Sequence, residues 1–348
     1  MDDKNLIMGV LKDPEDKRDY VFVPKLSKGV DLPVMVDLRK YAGEIEDQLD
    51  TGSCVANAAC SALELMTARK DQITDLSRLF VYWNVREPYD YLRGQDKGSY
   101  LRDAFKSINK LGVCDEKYWE FKPELINVKP NETAYEKAKD NKVLEYRRIS
   151  KNDTQAIKTA LAEGYPVIFS TGLGKKFLYL NGPLEKQRYH AINTWTNKLI
   201  GYHAMNIVGY NDQKRAFIVE NSWGTDWGDN GYCYFPYIAL ERDGLDVWVC
   251  TKFQYGAQTI DPEPAPDPQP DPEPDTNDVQ PDPQPDPQPD PEPDTDDVQP
   301  DPQPEVKPQF TEEEAEILKK SLGFLKNLDA SVIDSLKKFG DFIKALKG

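Results

Sequence analysis

The sequence is poor in metal ligands. It contains two histidines, His190 and His203, in 348 residues, and none of its five cysteines (Cys54, Cys60, Cys114, Cys233, Cys250) forms a Cys-x-x-Cys pair. A structural zinc site would find too few ligands. An odd cysteine count in a chain of this length does not read as a disulfide scaffold. No metal and no cofactor is expected. The opening stretch MDDKNLIMGVLKDPEDKRDY lacks an apolar core of signal-peptide length. No apolar run approaches ~20 residues, so neither a cleaved secretion signal nor a membrane-spanning helix is expected; a cytoplasmic or virion-associated location is the expectation, with other export routes or release by lysis of a host cell left open. A basic stripe interleaved with aromatics is also missing, which argues against nucleic-acid binding. The net charge is −16, yet Asp261 to Glu305 alone holds 12 Asp and 4 Glu with no Lys or Arg. The acidity belongs to that segment, and the rest sums to about zero.

Composition divides what is there into four parts. Residues 1–30 form an N-terminal arm, and residues 31–255 mix aromatics, aliphatics and charges in a globular pattern. Residues 256–309 are Pro, Asp, Gln and Glu, with PEPDTNDVQPDPQPDPQPD from Pro272 nearly repeated as PEPDTDDVQPDPQP from Pro291. Proline at alternate positions blocks helix and sheet ladders and favours polyproline II. At ~3.1 Å per residue, some 45 residues reach on the order of 140 Å, so the segment reads as an acidic, semi-rigid spacer. Residues 310–348 regain helical periodicity. Thr311 and Glu314 make a capping box, followed by Ile317, Leu318, Leu322, Leu325 and Leu328. Asp329 can cap a second helix whose polar side carries Lys337, Lys338, Lys344 and Lys347. Two lone helices bury little surface. They are expected to self-associate or dock on a protein partner, with a membrane surface as the lesser alternative.

The chemistry concentrates between residues 48 and 221. From Cys54 onward Val55, Ala56, Ala58, Ala59, Ala62, Leu63 and Leu65 predict an apolar helix, and Gly52 suits a turn into it. A cysteine at a helix N-terminus is a stabilised thiolate and a good nucleophile. The Cys54 N–H and the Gln48 side-chain amide could together hold an oxyanion. His203 enters an apolar strand over 204–210, and Asn221 ends another over 216–220. The Asn221 amide oxygen could fix the imidazole tautomer. Residues 165–171 read as a further buried strand. The pattern is α+β, helices early and strands late. His190 repeats the local Tyr-His-Ala-x-Asn setting of His203 and is a decoy base; the other four cysteines read as packing residues.

The blocks Asp47-Gln48-Leu49-Asp50-Thr51-Gly52-Ser53-Cys54, His203-Ala204 and Asn221-Ser222-Trp223-Gly224-Thr225-Asp226-Trp227-Gly228-Asp229-Asn230-Gly231-Tyr232 resemble, in order and content, the three signature blocks of the papain-like cysteine peptidases. The last block is the most specific. Asp13-Pro14 to Asp19-Tyr20, with Leu32-Pro33 and Val36-Asp37-Leu38-Arg39, resembles a branch found in bacteria and their viruses, without a long propeptide. The resemblance implies a two-subdomain fold, helical around Cys54 and β-barrel-like around His203 and Asn221, with a cleft between. It implies an endopeptidase acting on protein or peptide substrates, with Cys54 and His203 as a thiolate–imidazolium pair, Asn221 orienting His203, and Gln48 in the oxyanion hole. Gly98, Ser99, Ala204 and Trp223 would lie along the substrate or over the catalytic hydrogen bond, and a virion-associated role becomes an expectation. Three positions depart from the family pattern: Val55 replaces an aromatic, Thr51 a disulfide cysteine and Tyr202 a glycine. A module that keeps the fold but does not cleave is the alternative reading. A thiol mechanism acting on an isopeptide or other amide is a further one.

Overall fold

The structure, a computed structural model, describes residues 9–26, 31–183 and 199–261. His190, most of the acidic spacer and the whole 310–348 segment lie outside the described residues. In chain order the strands and α-helices are β1 (Val10–Leu11), β2 (Met35–Asp37), α1 (Cys54–Ala68), α2 (Arg78–Arg86), β3 (Ser99–Tyr100), α3 (Leu101–Leu111), α4 (Glu132–Ala138) and β4 (Lys142–Arg148). They continue as α5 (Thr154–Ala162), β5 (Val167–Gly174), β6 (Leu199–Asn211), β7 (Ala216–Glu220), β8 (Tyr232–Pro236), α6 (Tyr237–Asp243), β9 (Gly244–Tyr255) and β10 (Gln258–Ile260).

The small and aliphatic run after Cys54 builds α1, in which 12 of 15 residues are buried. A helix apolar on all sides belongs in an interior, and α1 lies against α2, α3 and β6. Ser77 caps α2 by accepting the Phe80 N–H at 3.2 Å. These helices enclose one hydrophobic core, which includes Val55, Leu63, Tyr82, Leu101 and Phe105.

Among the described residues, eight strands form an antiparallel sheet. Its main path runs β10-β9-β5-β6-β7-β8, with β2 on β6 and β4 on β9. All eight residues of β5 are buried, as expected of a strand paired on both edges and covered on both faces. A second core under the sheet gathers Ile157, Phe169, Phe177, Phe217, Trp223, Phe235 and Leu240. The helical half and the sheet half meet where α1 crosses β6. The globular part continues past residue 255: β10 pairs with β9, and Ile260 is fully buried.

Candidate active site

Cys54 is the first residue of α1, preceded by Ser53, whose side chain makes no cap to the helix. The first N–H groups of the helix thus stay available around the sulfur. The loop before it is drawn tight. Thr51 Oγ1 donates to the Gln48 carbonyl at 2.6 Å, and Asn57 Nδ2 donates to the Ser53 carbonyl at 3.0 Å. Gly52 does not take a left-handed turn; it is needed because space is short. A Cβ there would lie 2.8 Å from both Asp96 Oδ1 and Tyr82 Oη, and 3.0 Å from the Gly98 nitrogen. Gln48 is fully buried. Its Nε2 donates to the Thr51 carbonyl at 2.7 Å, and its Oε1 accepts from Ser222 Oγ at 2.7 Å. An amide nitrogen carries two hydrogens, so one remains for a second acceptor.

The same loop is stitched to the segment after β7. The Gln48 N–H donates to the Ser222 carbonyl at 2.8 Å, and the Gly224 N–H donates to the Glu46 carbonyl at 3.0 Å. This joins the cysteine loop to the Asn221 block across more than 170 residues of chain.

On the sheet side, β5 holds β6 in register with Thr171 opposite His203 and Ser170 opposite Ala204. The first four residues of β6 are exposed or half-buried, and burial begins at His203. His203 Nε2 lies 2.7 Å from Asn221 Oδ1. The Ser222 N–H also donates to that oxygen at 2.9 Å. An atom accepting a backbone N–H is the oxygen of the amide, so Nε2 carries the imidazole proton and Nδ1 holds the lone pair. Trp223 stacks on the ring, centroids 4.6 Å apart and planes 31° apart, and is itself braced by Phe177 and Trp227. Glu220, one residue before Asn221, is buried and accepts hydrogen bonds from Ser61 Oγ and Tyr232 Oη. Burial pushes its carboxyl up to about 7. Beside Tyr202 opens a groove of about 490 Å³ lined by Gly172, Tyr202, Leu245, Lys12 and Lys151 among others.

The N-terminal arm packs against β3 and the loop before Cys54. Strand β1 pairs in parallel with β3, Val10 opposite Ser99 and Leu11 opposite Tyr100, and the Ser99 N–H donates to the Gly9 carbonyl at 2.8 Å. The approach is possible because both chains present glycine. A Cβ on Gly98, whose φ is +80°, would lie 2.1 Å from the Gly9 oxygen, and a Cβ on Gly9 would lie 2.2 Å from the Gly52 oxygen. Gly98 and Ser99, the residues expected along a substrate backbone, are therefore occupied by the chain's own arm. Nothing in the composition of Gly9-Val10-Leu11 marks it as a cleft segment; the one signal in the sequence is that Gly98 and Gly9 are both glycines.

Covered in this way, Cys54 has no exposure, and burial pushes its thiol up to about 11. The nearby backbone of Ala204 and Gly9 acts against that rise. Burial likewise lowers His203 to about 4, against the opposing effect of its bond to Asn221. His203 Nδ1 has no hydrogen-bond partner. Burial thus favours the neutral form of both thiol and imidazole.

A buried cysteine at the start of a helix in one half, and a histidine hydrogen-bonded to an asparagine and stacked on a tryptophan in the sheet half, are the groups a thiol hydrolase needs. The comparisons agree with the geometry. The model of the papain family cysteine proteases matches residues 32–240, and the chain belongs to that family. It is 35% identical over 269 residues to a peptidase C1-like protein of Acanthamoeba polyphaga mimivirus, covering 69% of this chain and 85% of that one. It is 29% identical over 216 residues to cysteine proteinase 2 of Entamoeba histolytica, covering 58% and 63%. Among solved structures it is similar to xylellain, a cysteine protease from Xylella fastidiosa, with TM-score 0.61, 30% identity, and 71% of this chain and 96% of that one covered. The cysteine protease CMS1MS2 of Carica candamarcensis shares the fold, with TM-score 0.50 and 21% identity over 63% of this chain and 98% of that one. The protein is a cysteine-type peptidase of the papain-like α+β fold. Among the described residues, no helix is long and apolar enough to cross a membrane, and no cluster of ligands is arranged for a metal ion.

Proposed function

We propose that Cys54 and His203 hydrolyse internal peptide bonds after the arm has left the cleft. With Gly9 displaced, water reaches the sulfur and the imidazole. The desolvation that keeps both neutral is relieved, and the Cys54 proton passes to His203 Nδ1. The thiolate then adds to the substrate carbonyl carbon. The oxyanion is held by the Cys54 N–H and the second hydrogen of Gln48 Nε2. His203 returns the proton to the leaving amine, which departs and leaves a thioester. A water molecule gives a proton to Nδ1, adds to the thioester and releases the acid and the thiol. Asn221 keeps Nε2–H pointed away from the sulfur throughout, and Trp223 shields that bond from water. Gly98 and Ser99 hold the substrate backbone where β1 now lies, with Ala204 forming part of the floor.

The observation that carries this reading is the 2.7 Å contact of His203 Nε2 with an Asn221 oxygen whose identity is fixed by Ser222. The test is hydrolysis of a pooled fluorogenic peptide set under reducing conditions by the wild type, Gly9→Val and Cys54→Ala. Cleavage by the first two, faster with Gly9→Val and absent in Cys54→Ala, is expected. A folded Gly9→Val protein that neither cleaves nor is labelled by a thiol-directed covalent inhibitor would return the silent binding module to favour.

The remaining organisation is part of the same proposal. Residues 1–30 act as an arm, 256–309 as a spacer and 310–348 as a docking element that self-associates or binds a protein partner. A tethered peptidase then searches the volume its spacer allows. The mimivirus relative supports placement in a virus particle. Absence of the protein from purified particles, in a system that expresses it, would remove that placement.

A further inference from the structure

Two residues beyond β1, Asp13 is buried at 3% exposure beside Asp246, itself at 1%. The Asp13 N–H donates to Asp246 Oδ2 at 2.9 Å. The Asp13 carboxyl accepts from Trp248 Nε1 at 2.8 Å and from the Arg102 N–H at 3.1 and 3.2 Å. Every one of these donors to Asp13 is neutral. The two cations nearby are engaged elsewhere. The Arg102 guanidinium reaches Asp19 at 2.8 Å and the Pro14 carbonyl at 2.5 Å. Arg148 bridges Asp246 at 3.1 Å and Asp19 at 3.4 Å. The two guanidinium groups thus pair with Asp19 and Asp246 and leave Asp13 without one. The other titratable neighbours are Lys12, which acts on Asp246 from an exposed position, and Tyr100 on β3.

We propose that Asp13 and Asp246 form an acid latch, which holds the arm over Cys54 at low pH and releases it as the pH rises toward neutrality. The proposal rests on the reading of Cys54 as the site the arm covers. The closed arm seals a carboxyl with no cation of its own next to a second carboxyl, an arrangement that favours the protonated form. Lifting residues 9–13 returns Asp13 to water. Burial, then the charge of Asp246, raises its closed-state value from 3.8 to about 7. The sign follows from linkage. The closed form binds the extra proton between the two values, so closure weakens as pH climbs from about 4 to about 7 and is constant beyond either end. No bond need be cut. Farther along, the arm is tied down by Phe22, which is buried in the sheet core and donates its N–H to the Arg148 carbonyl at 2.9 Å. Arg148 N–H returns a bond to the Tyr20 carbonyl at 2.8 Å. The strap can swing open and close again.

The test is hydrogen–deuterium exchange of the peptides spanning 9–13 and 98–102 in the full-length Cys54→Ala chain, from pH 5 to 8, corrected for intrinsic exchange. Asp13→Asn and Asp246→Asn are measured in the same background. Opening is expected to rise up to about tenfold per pH unit between pH 5 and 7 and then to level. Asp13→Asn, neutral at every pH, is expected to stay closed with a flat profile. Asp246→Asn, which removes the like charge, should shift the rise to lower pH and shrink it, so the latch can be judged even if Asp13→Asn does not fold. Opening that is independent of pH in the parent chain, or that falls as pH rises, overturns the latch. Exchange needs no turnover, so a failed latch leaves the peptidase reading intact, and a chain without peptidase activity still reports on the latch.

Discussion

On the sheet wall of the cleft the proposed catalytic groups hold one another, whereas on the helix wall each is held by something else. His203, Asn221 and Trp223 form a closed unit of one hydrogen bond and one stacked ring. Opposite them, Cys54 faces Gly9, and Gln48 gives one amide hydrogen to Thr51. That contrast locates the switch. The imidazole side is built into strands and an aromatic core, which are costly to rearrange. On the thiol side lies a strand of only two residues, β1, paired with β3, and we propose that it can leave with little loss of structure. Burial acts on both walls, yet only the arm's share of it is removable.

His203→Ala breaks the sheet wall at its centre. Peptide hydrolysis should fall at least about ten-thousandfold, while Cys54 stays covered, as slow alkylation of the thiol would report. Trp223→Ala removes the lid and its contacts with Phe177 and Trp227. Loss of a buried tryptophan costs about 3–5 kcal/mol, and denaturant unfolding should show it. A loss well below about 1 kcal/mol would mean the sheet wall is not the rigid partner described. Gly9→Val acts on the helix wall alone. Its Cβ would collide with the Gly52 carbonyl, an overpacking of about 1–3 kcal/mol against closure. Alkylation of Cys54 should quicken about 5- to 150-fold with thermal stability nearly kept.

An effect of similar size, but confined to higher pH, is expected from Glu220→Gln, behind the sheet wall. Glu220 has its folded-state value raised from 4.5 to about 7 by burial. The native state therefore binds the extra proton, and stability falls as pH rises from about 4.5 to about 7, with no further change above. At up to ~1.4 kcal/mol per pKa unit, Glu220→Gln should be more stable than the parent by about 1–3 kcal/mol at pH 8 and close to it at pH 4. Equal effects at the two pH values would show that Glu220 titrates normally.

Much of this site is legible in the order of residues. The helix expected from Cys54 begins at Cys54, and the strand expected over 216–220 has those bounds. Both are local patterns, an apolar helix and a short apolar strand ended by turn chemistry. The strand expected over 204–210 is longer in the structure, starting at Leu199. Its first residues are exposed and owe their pairing to β5 rather than to their own burial. Gly52, expected as a turn residue, is instead required by crowding, because its neighbours Asp96, Tyr82 and Gly98 come from elsewhere in the chain. Asp13 stands out within a recognisable block, but its partners Asp246 and Trp248 lie more than 230 residues away.

Residue type and order were enough to fix the class of chemistry. They nominate Cys54, His203, Asn221 and Gln48 as the candidate groups, a thiol, an imidazole and two amides in one setting. They also fix the element types, which follow from periodicities of a few residues. The state of the site, by contrast, was decided by packing in three dimensions. Whether Cys54 is a thiol or a thiolate depends on its burial, to which segments distant in the chain contribute. The strength with which that segment holds depends on carboxyl groups brought together from opposite ends of the domain. Desolvation and charge coupling act through space, over distances that the order of residues along a chain does not encode.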